Sequence, residues 1–344
     1  RGICCRGKSP LIPLPAYRRQ VAKGEIGGFI EERFLPSVEM TIMKFNLTDK
    51  FTLGYLITVL IIILLFFPHI SGGTIFVFSH LFVIGTIFFL IFLFENNPGN
   101  KIIKFFRFWY PPILYTFLYE ETGRLNHIFF KENLDGFFQN IEFAIFKSQP
   151  SIWLAEKFSY IWLKECLHFF YFSYYLLVPI LGFILYKKDL KKFCHFIFVT
   201  SFTFYFCYLI YIFLPVVGPL IWGLPKMEGK AFVPLMNFIY AYFEKPGAAF
   251  PSSHVAVALI VVFFAYKYNR KLFFFFLIDV IFLAIATVYC GFHYVIDVIA
   301  GIFTAVGCYY AGSHIYRRHS RLRGNDGLPN TSILHEVEPH STSF

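Results

Sequence analysis

The 344-residue sequence is poor in charge: 15% of its residues are Asp, Glu, Lys or Arg, whereas 57% are hydrophobic. Soluble domains carry about 25% charged residues, so this composition argues against an ordinary water-soluble enzyme. The 49 Phe and 22 Tyr also exclude a disordered chain, because so much aromatic surface does not stay solvated. With a mean hydropathy of +0.59, the composition predicts a membrane protein.

Signatures of metal and disulfide sites are lacking as well. The seven cysteines form no CxxC pair and show no Cys/His spacing of zinc-site type. Most of them lie in apolar segments, where cysteine packs as a small apolar residue. We therefore expect neither a disulfide framework nor a zinc site. The net charge of +10 does not indicate a nucleic-acid partner, because the basic residues lie between hydrophobic runs.

Hydrophobic runs dominate the chain, and crossing a bilayer takes about 20 residues. Six clear candidates are 52–69, 73–94, 166–186, 193–214, 272–290 and 294–316. Two weaker candidates are 103–119, which contains two prolines, and the short run 254–268. We predict an all-α polytopic membrane bundle of about eight spans, about six of which form its core. The amphipathic piece 231–243 is typical of a helix on the membrane surface.

Composition also predicts the domain organisation. Residues 1–50 form a polar leader that we expect to be disordered, with the natural start at Met40 or Met43. Residues 51–316 form one membrane domain, and residues 317–344 form a tail expected to be disordered and cytoplasmic.

The distribution of basic residues predicts the orientation. Fourteen basic and two acidic residues lie in short stretches at 95–107, 187–192, 267–271 and 317–323. Eight basic and nine acidic residues lie in the longer segments 120–165 and 215–253. By the positive-inside rule, both termini are expected in the cytoplasm and the longer segments outside.

Two motifs, GAAFPSSH at 247–254 and YCGFHYVID at 289–297, carry the candidate chemistry. In this topology both lie at the outer ends of spans, so His254 and His293 return to the same face. Ionisable residues at membrane depth are costly and usually functional. We therefore expect a lipid-accessible site at this face.

The residues around these histidines suit an anion. Ser252 or Ser253 is placed to cap the next helix, whose free backbone N–H groups and dipole favour a phosphate. His293 and Asp297 are spaced i,i+4, which puts them on one face if the helix has begun by residue 293. A carboxylate there fixes the imidazole tautomer and stabilises its charged form.

Other interpretations of these residues stay open at this point. Two histidines and an aspartate also satisfy one another's hydrogen bonds in a polar helix interface. A transporter with an intramembrane His/Asp relay needs polar residues through several spans, but here they cluster at one end. An inactive scaffold that keeps the fold is a third interpretation.

The motifs resemble those of the type 2 phosphatidic acid phosphatase/haloperoxidase superfamily. PSSH at 251–254 is similar to its second motif, and GFHYVIDVIAG at 291–301 to its third. A looser resemblance, to the branch that includes inositol phosphorylceramide synthase, extends over 110–220. It rests on YEETGRL at 119–125, YFSYYLLVP at 171–179 and YIFLPVVGP at 211–219.

The resemblance implies an integral membrane enzyme that acts on a lipid phosphate or phosphodiester without a cofactor. His293 would attack phosphorus to give a phospho-histidine, and Asp297 would orient it. His254 would protonate the leaving oxygen, and Ser252 and Ser253 with nearby amides would hold the phosphoryl oxygens. We expect the site to face the exterior or periplasm of a bacterial inner membrane.

The sequence lacks the basic residues that the family motifs have at two places. Thr287 stands where the third motif of the phosphatases has an Arg, and the first motif, Lys-x6-Arg-Pro, has no clean match. The departure at Thr287 is a feature of the synthase-like branch, so it favours transfer to an alcohol over plain hydrolysis. Candidate substitute cations on the outer side are Arg124 and Lys245.

Three further features are interpreted as structural. Asp279 lies inside a span and is expected to be protonated or paired with a polar residue of another span. Glu120 and Glu121 are interpreted as solvated boundary charges. The aromatic residues of 153–175 are interpreted as an interfacial belt. They are Trp153, Tyr160, Trp162, Tyr171, Tyr174 and Tyr175.

Overall fold

The computed structural model describes residues 44–224, 227–243 and 246–325, and these form eleven α-helices without a named strand. The helices are α1 (Leu47–Leu65), α2 (Gly73–Asn96), α3 (Lys101–Leu125), α4 (Asp135–Phe146), α5 (Pro150–Lys157), α6 (Ile161–Lys188), α7 (Leu190–Phe213), α8 (Phe232–Phe243), α9 (Ser253–Tyr268), α10 (Arg270–Tyr289) and α11 (Val295–Asn325). The predicted leader up to residue 43, and the predicted tail from residue 326, lie outside the described residues.

Six helices are long and apolar enough to cross a membrane: α1, α2, α6, α7, α10 and α11. The predicted all-α polytopic bundle is therefore confirmed, and the chain is an integral membrane protein. The two weaker candidates are also helical, as α3 and α9. Several predicted boundaries differ. Helix α1 begins at Leu47, so the leader expected to be disordered is helical over 47–50, α6 begins at Ile161, and α11 continues to Asn325. The predicted tail is thus helical over its first nine residues.

The short helix α9 is surrounded by protein. Its 16 residues span about 24 Å, less than the roughly 30 Å of a hydrocarbon core. It packs against α6, α7, α10 and α11, and eleven of its residues are buried. Because protein rather than lipid surrounds it, its length does not have to match the bilayer. Its first turn lies recessed within the bundle, where His254 is 7% exposed.

The segments predicted to be irregular contain α4, α5 and α8. The amphipathic pattern of 231–243 does form a helix, α8, which buries Val233 and Met236 and packs against α6. Its opposite face exposes Phe238 and Tyr242. Helix α4 likewise has a buried and an exposed face.

A buried ion pair ties α1 to α3. The Arg107 guanidinium donates to Asp49 Oδ1 at 2.8 Å and to Oδ2 at 2.5 Å. The Tyr110 hydroxyl also donates to Asp49, at 2.8 Å. Arg107 lies twelve residues before Tyr119, which lines the candidate site. That distance is about 18 Å along α3, so Arg107 belongs to the opposite half of the bundle.

We predict that Asp49→Asn destabilises the protein strongly, because it leaves the buried Arg107 without its counter-charge. Breaking a buried pair in this way costs about 3–5 kcal/mol. The matched control is Asp189→Asn at the partly exposed start of α7, where Asn caps a helix as well as Asp does. Thermal unfolding in detergent micelles measures both variants. Equal midpoints for the two would contradict the prediction.

Candidate active site

The turn between α10 and α11 carries His293. The backbone N–H groups of Phe292 and His293 both donate to the Thr287 carbonyl at 3.0 Å, which closes the turn. Helix α11 begins at Val295, so His293 precedes the helix, whereas the i,i+4 interpretation needed it inside. The pairing with Asp297 forms nonetheless: Asp297 folds back, and its Oδ2 accepts the Tyr294 N–H at 2.8 Å.

The structure brings His254, His293 and Asp297 together. His293 Nε2 lies 3.3 Å from His254 Nδ1, a hydrogen-bond distance. His293 Nδ1 lies 3.6 Å from Asp297 Oδ2, a contact longer than a hydrogen bond. All three side chains are buried. The arrangement is thus a row of two imidazoles and one carboxylate.

The first turn of α9 differs from the expected phosphate cradle. Ser252 does cap the helix, and its Oγ accepts the Val255 N–H at 3.3 Å. The Ser252 N–H, however, donates to the Asp297 carbonyl at 3.0 Å, and the Ser253 N–H donates to the Tyr211 hydroxyl at 3.1 Å. Three of the expected amides are therefore occupied by protein groups. Ser252 and Ser253 join α9 to α11 and α7.

Gly301 permits this close approach of α11 to the start of α9. A Cβ atom at position 301 would lie 2.7 Å from the Ser252 carbonyl oxygen and 3.3 Å from Ser252 Cβ. The backbone of Gly301 and of Ser252 cannot move aside to make room for a Cβ atom, as a flexible side chain can. The last residue of the motif GFHYVIDVIAG is therefore needed for helix contact.

Tyrosines line the pocket that contains the two histidines. Its walls are formed by Tyr119, Tyr171, Val217, Tyr240, Ala248, Ala249, His254, Phe292 and His293. No Lys or Arg is among these lining residues, within the part of the chain that the structure describes. The wall is thus aromatic and hydroxyl-bearing.

Tyr171 is a site residue that sequence reasoning missed. Its hydroxyl lies 3.1 Å from His254 Nε2, and it is 1% exposed. The interpretation as an interfacial belt is therefore wrong for Tyr171, whereas Trp153 and Trp162 are exposed as expected. The sequence did hold one indication of this role. Tyr171 begins the segment YFSYYLLVP, which resembles the family, whereas an interfacial aromatic belt needs no such sequence pattern.

One predicted phosphate-binding residue, Arg124, is not among the residues that line this pocket. Arg124 is exposed on α3, and its guanidinium lies 5.9 Å from the centre of the Phe76 ring. Lys245 lies outside the described residues.

Two acidic residues predicted to be structural have partners on other helices. Glu121 is buried, with Oε1 3.3 Å from His80 Nδ1, so its interpretation as a solvated boundary charge is wrong. Asp279 accepts a hydrogen bond from Ser173 on α6 at 3.0 Å, which agrees with the expected pairing.

These features define a polytopic helical membrane protein with a buried site of two histidines and an aspartate. Residues 148–311, which include that site, match the family model of the PAP2 superfamily. The match confirms the predicted resemblance to the type 2 phosphatidic acid phosphatases and supports a phosphatase-type enzyme. Comparisons with curated proteins and with solved structures found no match.

We predict that Gly301→Ala lowers both stability and activity, because its methyl group pushes α11 away from Ser252. The matched control is Gly307→Ala in the same helix, where an added Cβ meets no atom within 4 Å. Ala is favoured over Gly in a helix by about 1 kcal/mol, so the control should be neutral or more stable. Thermal midpoints and phosphate release measure both effects. A Gly301→Ala variant as stable and active as the control would contradict the close approach.

Proposed function

We propose that the protein is an integral membrane lipid phosphatase or phosphotransferase that acts through a phospho-histidine at His293. The observation that carries the proposal is the buried contact of His293 with His254 on one side and Asp297 on the other. The PAP2 match over residues 148–311 supports the reaction class.

In the first step, the His293 Nε2 lone pair attacks phosphorus and the bond from phosphorus to the leaving oxygen breaks. His254 gives its proton to that oxygen, which leaves as an alcohol. In the second step, water or an alcohol gives a proton to His254 and attacks phosphorus, and the P–N bond breaks. Asp297 holds the proton of His293 on Nδ1, so that Nε2 carries the lone pair.

Both contacts have to adjust when a phosphoryl group binds. A separation of 3.3 Å between the imidazole nitrogens leaves no room for a phosphorus atom between them. Movement of the His293 ring toward Asp297 opens this gap and shortens the 3.6 Å contact to a hydrogen bond. Catalytic hydrogen bonds commonly tighten in this way when the substrate arrives.

The phosphoryl oxygens need donors, and we propose the hydroxyls of the tyrosine-lined pocket for this role. We assign Ser252 and Ser253 to placing His254, because their backbone amides already bind protein groups. Lys245, which lies three residues before the pocket residue Ala248 in the sequence, is the proposed cation. Phosphoryl transfer depends mainly on such positioning and charge stabilisation.

We further propose transfer to an alcohol acceptor, as in inositol phosphorylceramide synthase. The Thr287 side chain stands where the phosphatases have a cation, and it donates to the Ala284 carbonyl at 2.8 Å instead. The test is mass spectrometry of the products formed from a labelled lipid phosphate, with and without inositol. Labelled inositol phosphate in the presence of inositol supports transfer, and release of inorganic phosphate alone identifies a phosphatase.

We predict that His293→Ala abolishes turnover of phosphatidic acid in detergent micelles, with a loss of roughly a thousandfold or more. The control is His314→Ala, since His314 is exposed on α11 and distant from the motif in sequence. Phosphate release by purified proteins of matched thermal midpoint measures the effect. Equal turnover by His293→Ala and wild type would remove the proposed nucleophile.

The proposed orientation places the site at the outer face of a bacterial inner membrane. We predict that a cysteine at position 132, an exposed position before α4, reacts with an impermeant maleimide on intact cells. A cysteine at position 188, exposed at the end of α6, should react only after permeabilisation. The unsubstituted chain gives the background of native cysteines. The reverse labelling pattern would contradict the orientation.

A further inference from the structure

Helix α4 presents two carboxylates to the protein interior. Asp135 and Glu142 lie seven residues apart, about two helical turns, and therefore share a face. They are 1% and 0% exposed. The other side of the helix exposes Phe137, Phe143, Ile145 and Phe146. Burying the acidic face of such a helix costs free energy unless each carboxylate has a hydrogen-bond partner.

Asp135 holds the segment that follows α7. Its two oxygens accept the N–H groups of Val217 at 2.9 Å and Gly218 at 2.8 Å. Oδ1 also accepts the Tyr294 hydroxyl at 3.1 Å. Val217 lines the pocket, and Tyr294 directly follows His293.

Glu142 holds the start of α11. Its Oε1 accepts the Val295 N–H at 2.5 Å, and its Oε2 accepts the Gln149 side-chain amide at 2.6 Å. Val295 lies between His293 and Asp297 in the chain, so this bond fixes the segment that carries both. A carboxylate at a helix N-terminus is also favoured by the helix dipole.

The groups around Glu142 make its charge sensitive to pH. Asp297 faces it from α11, Asp135 lies on the same face of α4, and the neutral Gln149 faces it from the segment before α5. Burial, reinforced by Asp297 and opposed by the Val295 N–H, raises the pKa of Glu142 to about 7. His293 lies on the far side of Asp297.

We propose that α4 braces the site, with Asp135 and Glu142 as positioning residues for Val217 and the His293–Asp297 segment, and that protonation of Glu142 loosens this brace. The inference rests on the proposed function of His293. Protonation replaces a charge-assisted bond to Val295 by a weaker neutral one. It also removes one negative charge from the surroundings of Asp297 and His293.

The test compares Glu142→Gln and Gln149→Met with the control Glu132→Gln, an exposed carboxylate before α4. Phosphate release from phosphatidic acid in mixed micelles is measured across the pH range in which histidine and Glu142 titrate. We expect Glu142→Gln to move the acid limb to lower pH by about half a unit to one unit. In this variant residue 142 has no proton to gain, so the brace does not change with pH. It also lacks the negative charge that favours protonation of His293.

Gln149→Met is expected to act with the opposite sign. It removes a donor that stabilises the charged form of Glu142, so the brace loosens at higher pH and the acid limb moves up. The double variant, Glu142→Gln with Gln149→Met, should behave as Glu142→Gln does, because the carboxyl group of Glu142 is then absent. Glu132→Gln should follow the wild-type profile.

A second readout does not depend on turnover. Diethyl pyrocarbonate reacts with neutral imidazole, and mass spectrometry of the peptide that contains residue 293 gives its reactivity at each pH. The reactivity profile should shift in the same directions as the activity profile. If wild type does not act on phosphatidic acid, the proposed function fails while this profile still tests the brace. Coincident profiles for Glu142→Gln, Gln149→Met and wild type, or a fall in rate without any shift, would overturn the brace.

Discussion

The backbone contact between the start of α9 and the first turns of α11 is the constraint on which the site depends. The Ser252 N–H donates to the Asp297 carbonyl, and Gly301 leaves the space that this approach requires. Ser252, at one end of the contact, is two residues from His254. Asp297, at the other end, faces His293. Because backbone joins backbone here, the imidazoles are placed by the fold rather than by flexible side chains.

Around this contact, polar groups are matched in pairs that cross the bundle. The Tyr211 hydroxyl bridges the Ser253 N–H and the Pro251 carbonyl, which fixes the entry into α9. Tyr171 contacts His254 from α6, and His293 contacts it from the turn before α11. Such pairing is required because an unsatisfied polar group in a nonpolar interior costs several kcal/mol. The same requirement accounts for the Arg107–Asp49 pair in the other half of the bundle.

The sequence was sufficient for the long apolar helices and for two of the motifs, but not for their surroundings. Long apolar runs determine where α1, α2 and α7 lie, and such runs are visible in a single chain. The burial of Glu121 against His80 joins residues 41 positions apart, and that of Tyr171 against His254 joins residues 83 apart. No local pattern encodes such contacts. The prediction that the backbone amides of Ser252 and Ser253 are free was wrong for the same reason, because their hydrogen-bond partners belong to α11 and α7.

The residue that carries the phosphoryl group during turnover decides whether His293 is the nucleophile. Wild-type protein is incubated with radiolabelled phosphatidic acid, quenched in denaturant, and digested for mass spectrometry under alkaline conditions, in which phospho-histidine is preserved. We expect an acid-labile phosphoryl group on the peptide that contains His293, and none in His293→Ala. An acid-stable phosphoryl group on a serine or tyrosine, or turnover with label on His254 instead, would contradict it.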